Sequence, residues 1–273
     1  MTSAERHPTA PPIHCIGDSH VAFFSGRDVI PPVWPDPVDD LLPWFKTHHL
    51  GPALAYNLNR TGTRTQGRER LMDILATAVP AGAAVLLSFG EIDCRAHLPK
   101  QAAQRGLPLE QVVEDCLDAY FTTVAEVAGM GFRVIIYNAL YSHAREREDG
   151  RRKDGDYAAY GTWRERARAA GLFNAGAKLR CQRLGLSFLE TAPHLAGRHG
   201  RPLRWYFFDS IHLSQRAMPI TLRALAALLP DCDIEVPPVP SPTQCSRLAD
   251  WLDKRRNRLR KEISKATARV FSS

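Results

Sequence analysis

The sequence predicts an α/β fold, a parallel sheet with helices on both faces. Short apolar runs of strand length, at 13–16, 83–89 and 133–138, alternate with longer stretches of helical periodicity. The run at 83–89 is nearly unbroken, as in strands covered on both faces. Strand and helix alternate along most of the chain, the pattern of a parallel sheet rather than hairpins.

The first strand is expected at Ile13-His14-Cys15-Ile16, with Gly17-Asp18-Ser19 as the turn at its carboxyl end and a helix near 21–25. Residues 27–43, rich in Pro and Asp, read as a loop across the rim, where Trp34, Trp44 and Phe45 either line a pocket or cover the core. A second strand is expected at 45–50, ending at Gly51, with Pro52 at the first position of a helix through Tyr56. Residues 68–78 carry helical periodicity, and the strand at 83–89 stops at Gly90. A strongly amphipathic helix is expected at 109–128, stopped by Gly129 and Gly131, before the strand at 133–138. Residues 141–161 read as a mobile charged loop, 162–184 as a helix, 186–190 as a short strand, and Ser214 as the cap of a last helix reaching Leu229.

Four segments are expected: a flexible N-terminus at 1–12, one domain at 13–230, an extended proline-rich linker at 231–245, and a basic amphipathic helix at 246–273. That helix is expected to dock on the domain, on a second subunit or on a partner. The 273 residues, 44% hydrophobic and 24% charged, suit one sizeable soluble core. No run approaches the roughly 18 apolar residues of a membrane span, and the first twelve residues lack a secretory apolar region. A cytoplasmic protein is expected. The six cysteines lack CxxC spacing and read as reduced thiols.

The net charge of +7 raises the question of nucleic acid. Its excess crowds the last twenty residues, and the tail from 246 carries no aromatic besides Trp251 and Phe271, so no nucleic-acid partner is expected. His48-His49 is no metal signal, because neighbours on a strand face opposite ways and no HxH or HExxH accompanies them. No metal and no cofactor are expected.

Ser19 near one end and Asp209-Ser210-Ile211-His212 near the other supply a hydroxyl, a carboxylate and an imidazole, the groups acyl transfer needs. Read by themselves, Ser19 is equally a helix cap and the Asp209, His212 pair a loop brace. Gly17-Asp18-Ser19 after the first strand, Gly51 after the second, Gly90-Glu91-Ile92-Asp93 after the third, and Asp209-x-x-His212 before the last helix together resemble the SGNH (GDSL-type) hydrolase superfamily in order and spacing. The resemblance covers about residues 13–229. With Val at position 21, the chain lacks the G-x-S-x-G elbow of α/β-hydrolases.

That resemblance implies a flavodoxin-like three-layer α/β/α sandwich, with Ser19 as nucleophile, His212 as general base and then acid, and Asp209 as orienting carboxylate. It implies an esterase removing a small, acetyl-like acyl group from a carbohydrate or other small molecule. An O-acyltransferase and a non-catalytic binding protein on the same scaffold are the alternatives. In the family the serine amide, the second-block glycine and a third-block asparagine stabilise the oxyanion. Gly51 matches the glycine, with Gly62 as its rival, but Ile92 stands where the asparagine would be and has no donor. Either Arg95 or Asn57 substitutes, or the enzyme is slow, or the scaffold has lost hydrolysis. Asp18, Glu91, Asp93, Arg95 and His97 are read as substrate-facing groups of the site wall, the alternative being an internal ion pair of Arg95 with one of the acids.

Overall fold

A computed structural model describes residues 11–141, 159–197, 201–232 and 234–237. The N-terminal segment through residue 10, most of the charged loop at 141–161, the greater part of the linker and the basic helix at 246–273 lie outside the described residues.

Five strands form one parallel sheet: β1 (Ile13–Gly17), β2 (Phe45–His49), β3 (Ala84–Ser88), β4 (Arg133–Tyr137) and β5 (Ser187–Leu189), in the order β2-β1-β3-β4-β5. The chain steps from β1 outward to β2 and then returns to β3 on the other side. Crevices at such switch points, beyond the carboxyl ends of the strands, are where open α/β sheets bind ligands.

Alternation along the strands feeds two cores. Ile16, Val85, Leu87, Val134 and Ile136 face one, under α1 (Gly67–Thr77), α3 (Leu109–Gly129) and α4 (Trp163–Leu184). Cys15, Phe45, Ala84, Leu86, Ile135 and Tyr137 face the other, with Phe23, Phe24 and α5 (Met218–Leu228). Along α3, Val113, Leu117, Tyr120 and Val124 recur at intervals of three and four and are fully covered. Each such side chain contributes about 1.5–3 kcal/mol of burial. Trp34 donates its indole N–H to Asp73, Phe45 is core, and Trp44 packs against the core, so these aromatics cover the interior.

Three local expectations are corrected. The first helix is a 3-10 helix, Ser19–Ser25, that begins at Ser19 itself. Pro52 starts no helix: Leu54 is extended, and only the turn Ala55–Asn57 follows. The side chain of Asp93 takes the amides of Ala55 and Tyr56 at 2.8 and 3.2 Å, capping that turn from across the sheet. A π-helical turn, Asp93–His97, leads into α2 (Leu98–Arg105), an element that the sequence reading lacks. Ser214 caps the short 3-10 turn Gln215–Ala217, which continues into α5.

Gly17 makes the centre of the fold. A Cβ there would stand 2.2 Å from the Ser88 carbonyl oxygen, so β1 and β3 approach closely only through glycine. The turn that follows thus leaves the sheet at the switch point.

Candidate active site

Asp18, in extended backbone, caps the 3-10 helix by accepting the His20 amide at 2.9 Å. Between the buried Asp18 and His20, Ser19 keeps partial exposure. The segment that meets it comes from the other end of the domain. Phe207 and Leu213 form an antiparallel bridge, and between them Asp209 Oδ1 accepts the amides of Ile211 and His212 at 2.8 and 2.7 Å. Its other oxygen lies 2.7 Å from His212 Nδ1, and His212 Nε2 lies 2.9 Å from Ser19 Oγ.

These contacts fix the tautomer. Burial pushes the Asp209 carboxyl up, but the His212 ring and the two amides outweigh it and hold the group down at about 2. An ionised Asp209 only accepts, so Nδ1 carries the proton and donates it. Nε2 then presents its lone pair to the Ser19 hydroxyl. The structure brings the Ser19 hydroxyl, the His212 imidazole and the Asp209 carboxylate together in hydrogen-bonded sequence.

The acidic groups expected to face substrate are turned inward. Glu91 accepts from Arg95 Nε at 2.8 and 3.0 Å and from His20 Nε2 at 2.8 Å, with the His20 and Glu91 side chains each 3% exposed. Burial works against the Glu91 charge, but Arg95 and His20 bring its carboxyl down to about 2. Asp93 is fully buried and committed to the turn at Ala55–Asn57, and burial pushes its carboxyl up to about 7. Burial likewise lifts the Asp18 carboxyl to about 7, despite the bond from the His20 amide. Of the two readings of this cluster, the internal ion pair is the one these contacts form. Glu91, Asp93 and Arg95 make a wall whose charges point into the protein.

Leu50 donates its amide to the Gly17 carbonyl at 2.8 Å, which brings Gly51 alongside the turn that carries Ser19. Gly51 has φ +80°, a left-handed conformation suited to glycine, and Arg70 Nη1 ties down the preceding carbonyl at 2.7 Å. Its rival Gly62 lies in an exposed turn where an added Cβ would meet nothing. Ile92 is buried, 3% exposed, and brings no polar group to the site. His48 Nε2 pairs with His14 Nδ1 at 3.0 Å, and His49 Nδ1 with the Pro31 carbonyl. Among the described residues, no group of three His, Cys, Asp or Glu side chains is arranged to hold a metal ion.

Two rings beside His212 were not anticipated. His20 packs on His212 with ring centroids 4.8 Å apart, and Phe208 stacks on it at 5.6 Å. Their signal was adjacency: each neighbours a motif residue, His20 following Ser19 and Phe208 preceding Asp209.

No known family profile and no curated protein matches the sequence. Solved structures do match. A candidate acylhydrolase from Bacteroides fragilis is similar over 82% of this chain and 88% of its own, at 12% identity and a TM-score of 0.51. A GDSL-like lipase from Bacteroides thetaiotaomicron is similar over 81% and 88%, at 10% identity and a TM-score of 0.48. A catalytic mutant of an acetylxylan esterase from Geobacillus stearothermophilus is similar over 85% and 97%, at 14% identity and a TM-score of 0.45. The chain shares the α/β fold, a parallel sheet between helices, of the Bacteroides fragilis structure.

Proposed function

We propose that the chain is a serine ester hydrolase that removes a small, acetyl-like acyl group from a carbohydrate or another small molecule. The hydrogen-bonded series Asp209, His212, Ser19 carries this reading. Ser19 Oγ attacks the ester carbonyl as His212 Nε2 takes its proton, and Asp209 stabilises the imidazolium that forms. His212 then gives the proton to the leaving alcohol, and a water, activated by the same nitrogen, releases the acyl group from Ser19.

The oxyanion falls to the amides of Ser19, at the start of a helix whose first N–H groups have no intrahelical acceptor, and of Gly51. Ile92 offers no donor in the third place, and with Arg95 committed to Glu91, either Asn57 supplies that donor or the enzyme is slow. An acyl-serine also suits O-acyl transfer to a sugar hydroxyl, which competition between water and an acceptor alcohol separates. Among the described residues no helix is long and apolar enough to cross a membrane, and the five cysteines are free, which supports a reducing, cytoplasmic setting.

The test is hydrolysis of p-nitrophenyl acetate by the chain, by Ser19→Ala and by His212→Ala. Equal rates in all three sink the proposal.

A further inference from the structure

We propose, resting on the serine-hydrolase reading above, that His20 is a positioning residue for the base: clamped by Glu91 and Arg95, its ring braces His212 in the orientation that reaches Ser19.

The need for a brace is geometric. His212 is held at one edge by Asp209, whose side chain is 41% exposed, so water competes for that bond. At the other edge is Ser19, whose bond changes during every turnover. A ring held only at these two nitrogens is free to swing out of line, and misplacement by about 1 Å costs on the order of a hundredfold in rate.

Phe208 and His20 both pack on the ring, but they do different work. Phe208 belongs to the loop that carries His212 and moves with it. His20 belongs to the helix that Ser19 begins, so its contact references the base to the nucleophile's own element.

His20 is itself well anchored. Because Glu91 is held as a carboxylate, it accepts the His20 Nε2 proton, which fixes the tautomer and the plane of the ring. Arg95, 6% exposed, engages both Glu91 oxygens through Nε. Bonds to charged groups in so dry a place are strong and short. Glu91 follows β3, so the brace joins the carboxyl ends of the two strands that flank the switch point. Both Glu91 oxygens are used inside the protein, and one of them holds His20.

Two variants of the full chain separate ring from hydrogen bond. His20→Gln keeps a donor toward Glu91 and loses the ring, whereas His20→Phe keeps a ring and loses the donor. With p-nitrophenyl acetate, His20→Gln is expected to lower kcat about 10- to 100-fold with KM within about twofold. His20→Phe is expected to recover at least half of that loss on a logarithmic scale. A parental kcat in His20→Gln, or a His20→Phe no faster than His20→Gln, overturns the brace. Circular dichroism verifies folding, and if neither variant folds, the isosteric Glu91→Gln replaces them: its kcat is expected to fall, and a parental value overturns the proposal.

Labelling by a fluorophosphonate keeps the two readings apart. Failure of the parent chain to label at Ser19 sinks the serine-hydrolase reading. Labelling of the parent and of His20→Gln at one rate sinks only the brace.

Discussion

His212 Nε2 stands 2.9 Å from Ser19 Oγ although 193 residues separate them in the chain. The bond spans the domain: one partner follows the first strand, and the other precedes the last helix. Because the ionised Asp209 holds the proton on Nδ1, the nitrogen facing Ser19 is the basic one.

Ser19→Ala and His212→Ala are expected to lower kcat for p-nitrophenyl acetate by about a thousandfold or more, and Asp209→Asn by about a hundredfold or more. KM measured beside kcat distinguishes lost chemistry from lost binding, and an unchanged thermal midpoint in Ser19→Ala shows that the fold is intact.

Ile92→Asn tests the missing oxyanion donor. Restoring such a group is expected to raise kcat, up to about a hundredfold, since removing one costs about two to three decades in other enzymes. Ile92 is 3% exposed, so the same change should lower stability by about 1–3 kcal/mol in urea unfolding. A gain in rate with a loss of stability is the expected pairing.

Gly17→Ala forces a Cβ to within 2.2 Å of the Ser88 carbonyl oxygen. Separating β1 from β3 to relieve it is expected to cost about 2 kcal/mol or more. Activity should fall as well, because the turn that carries Ser19 leaves from that point. Urea midpoints and kcat on the same preparation check both.

The Asp18 carboxyl has a folded pKa of about 7 against an ordinary value of 3.8. Between these values the folded state binds the proton more tightly than the unfolded state does, so this group's contribution to stability is fully present below about pH 4 and is lost as pH rises toward and through 7. Asp18→Asn keeps an oxygen for the His20 amide and removes the titration. Its unfolding free energy, relative to the parent, is expected to improve by a few kcal/mol, about 1–4, between pH 5 and pH 8. A difference that does not vary with pH contradicts the assignment.

Glu91 works in the opposite sense. Its folded value of about 2 lies below the ordinary 4.5, so its stabilisation is present above about pH 4.5 and is lost as pH falls toward 2. Glu91→Gln should therefore be destabilising at pH 7, by about 3 kcal/mol, and nearly neutral at pH 2, as read by urea unfolding.

Much of this architecture was legible in short stretches of chain. Strand-length apolar runs ending in glycine located β1 and β3, the run after Gly131 located β4, and Asp209 sits beside His212 because its Oδ1 takes the amides two and three residues on, of Ile211 and His212. What stayed hidden depends on neighbours distant in sequence. The direction of Glu91 and Arg95 is set by His20 on another element. Pro52 reads as a helix start, yet Asp93 supplies the cap three residues later and confines the helix to a single turn. The segment from Asp93 to Arg105 mixes charge, His and Pro99, so its apolar period is too broken to announce a helix, and the π-helical turn at its start shifts the register again.

The distance along the chain between Ser19 and His212 has a bearing on biosynthesis. A nascent polypeptide arrested anywhere before residue 212 exposes the hydroxyl without its imidazole, and such a fragment has no means of forming an acyl-serine. On the proposed serine-hydrolase reading, ester cleavage therefore requires translation past residue 212.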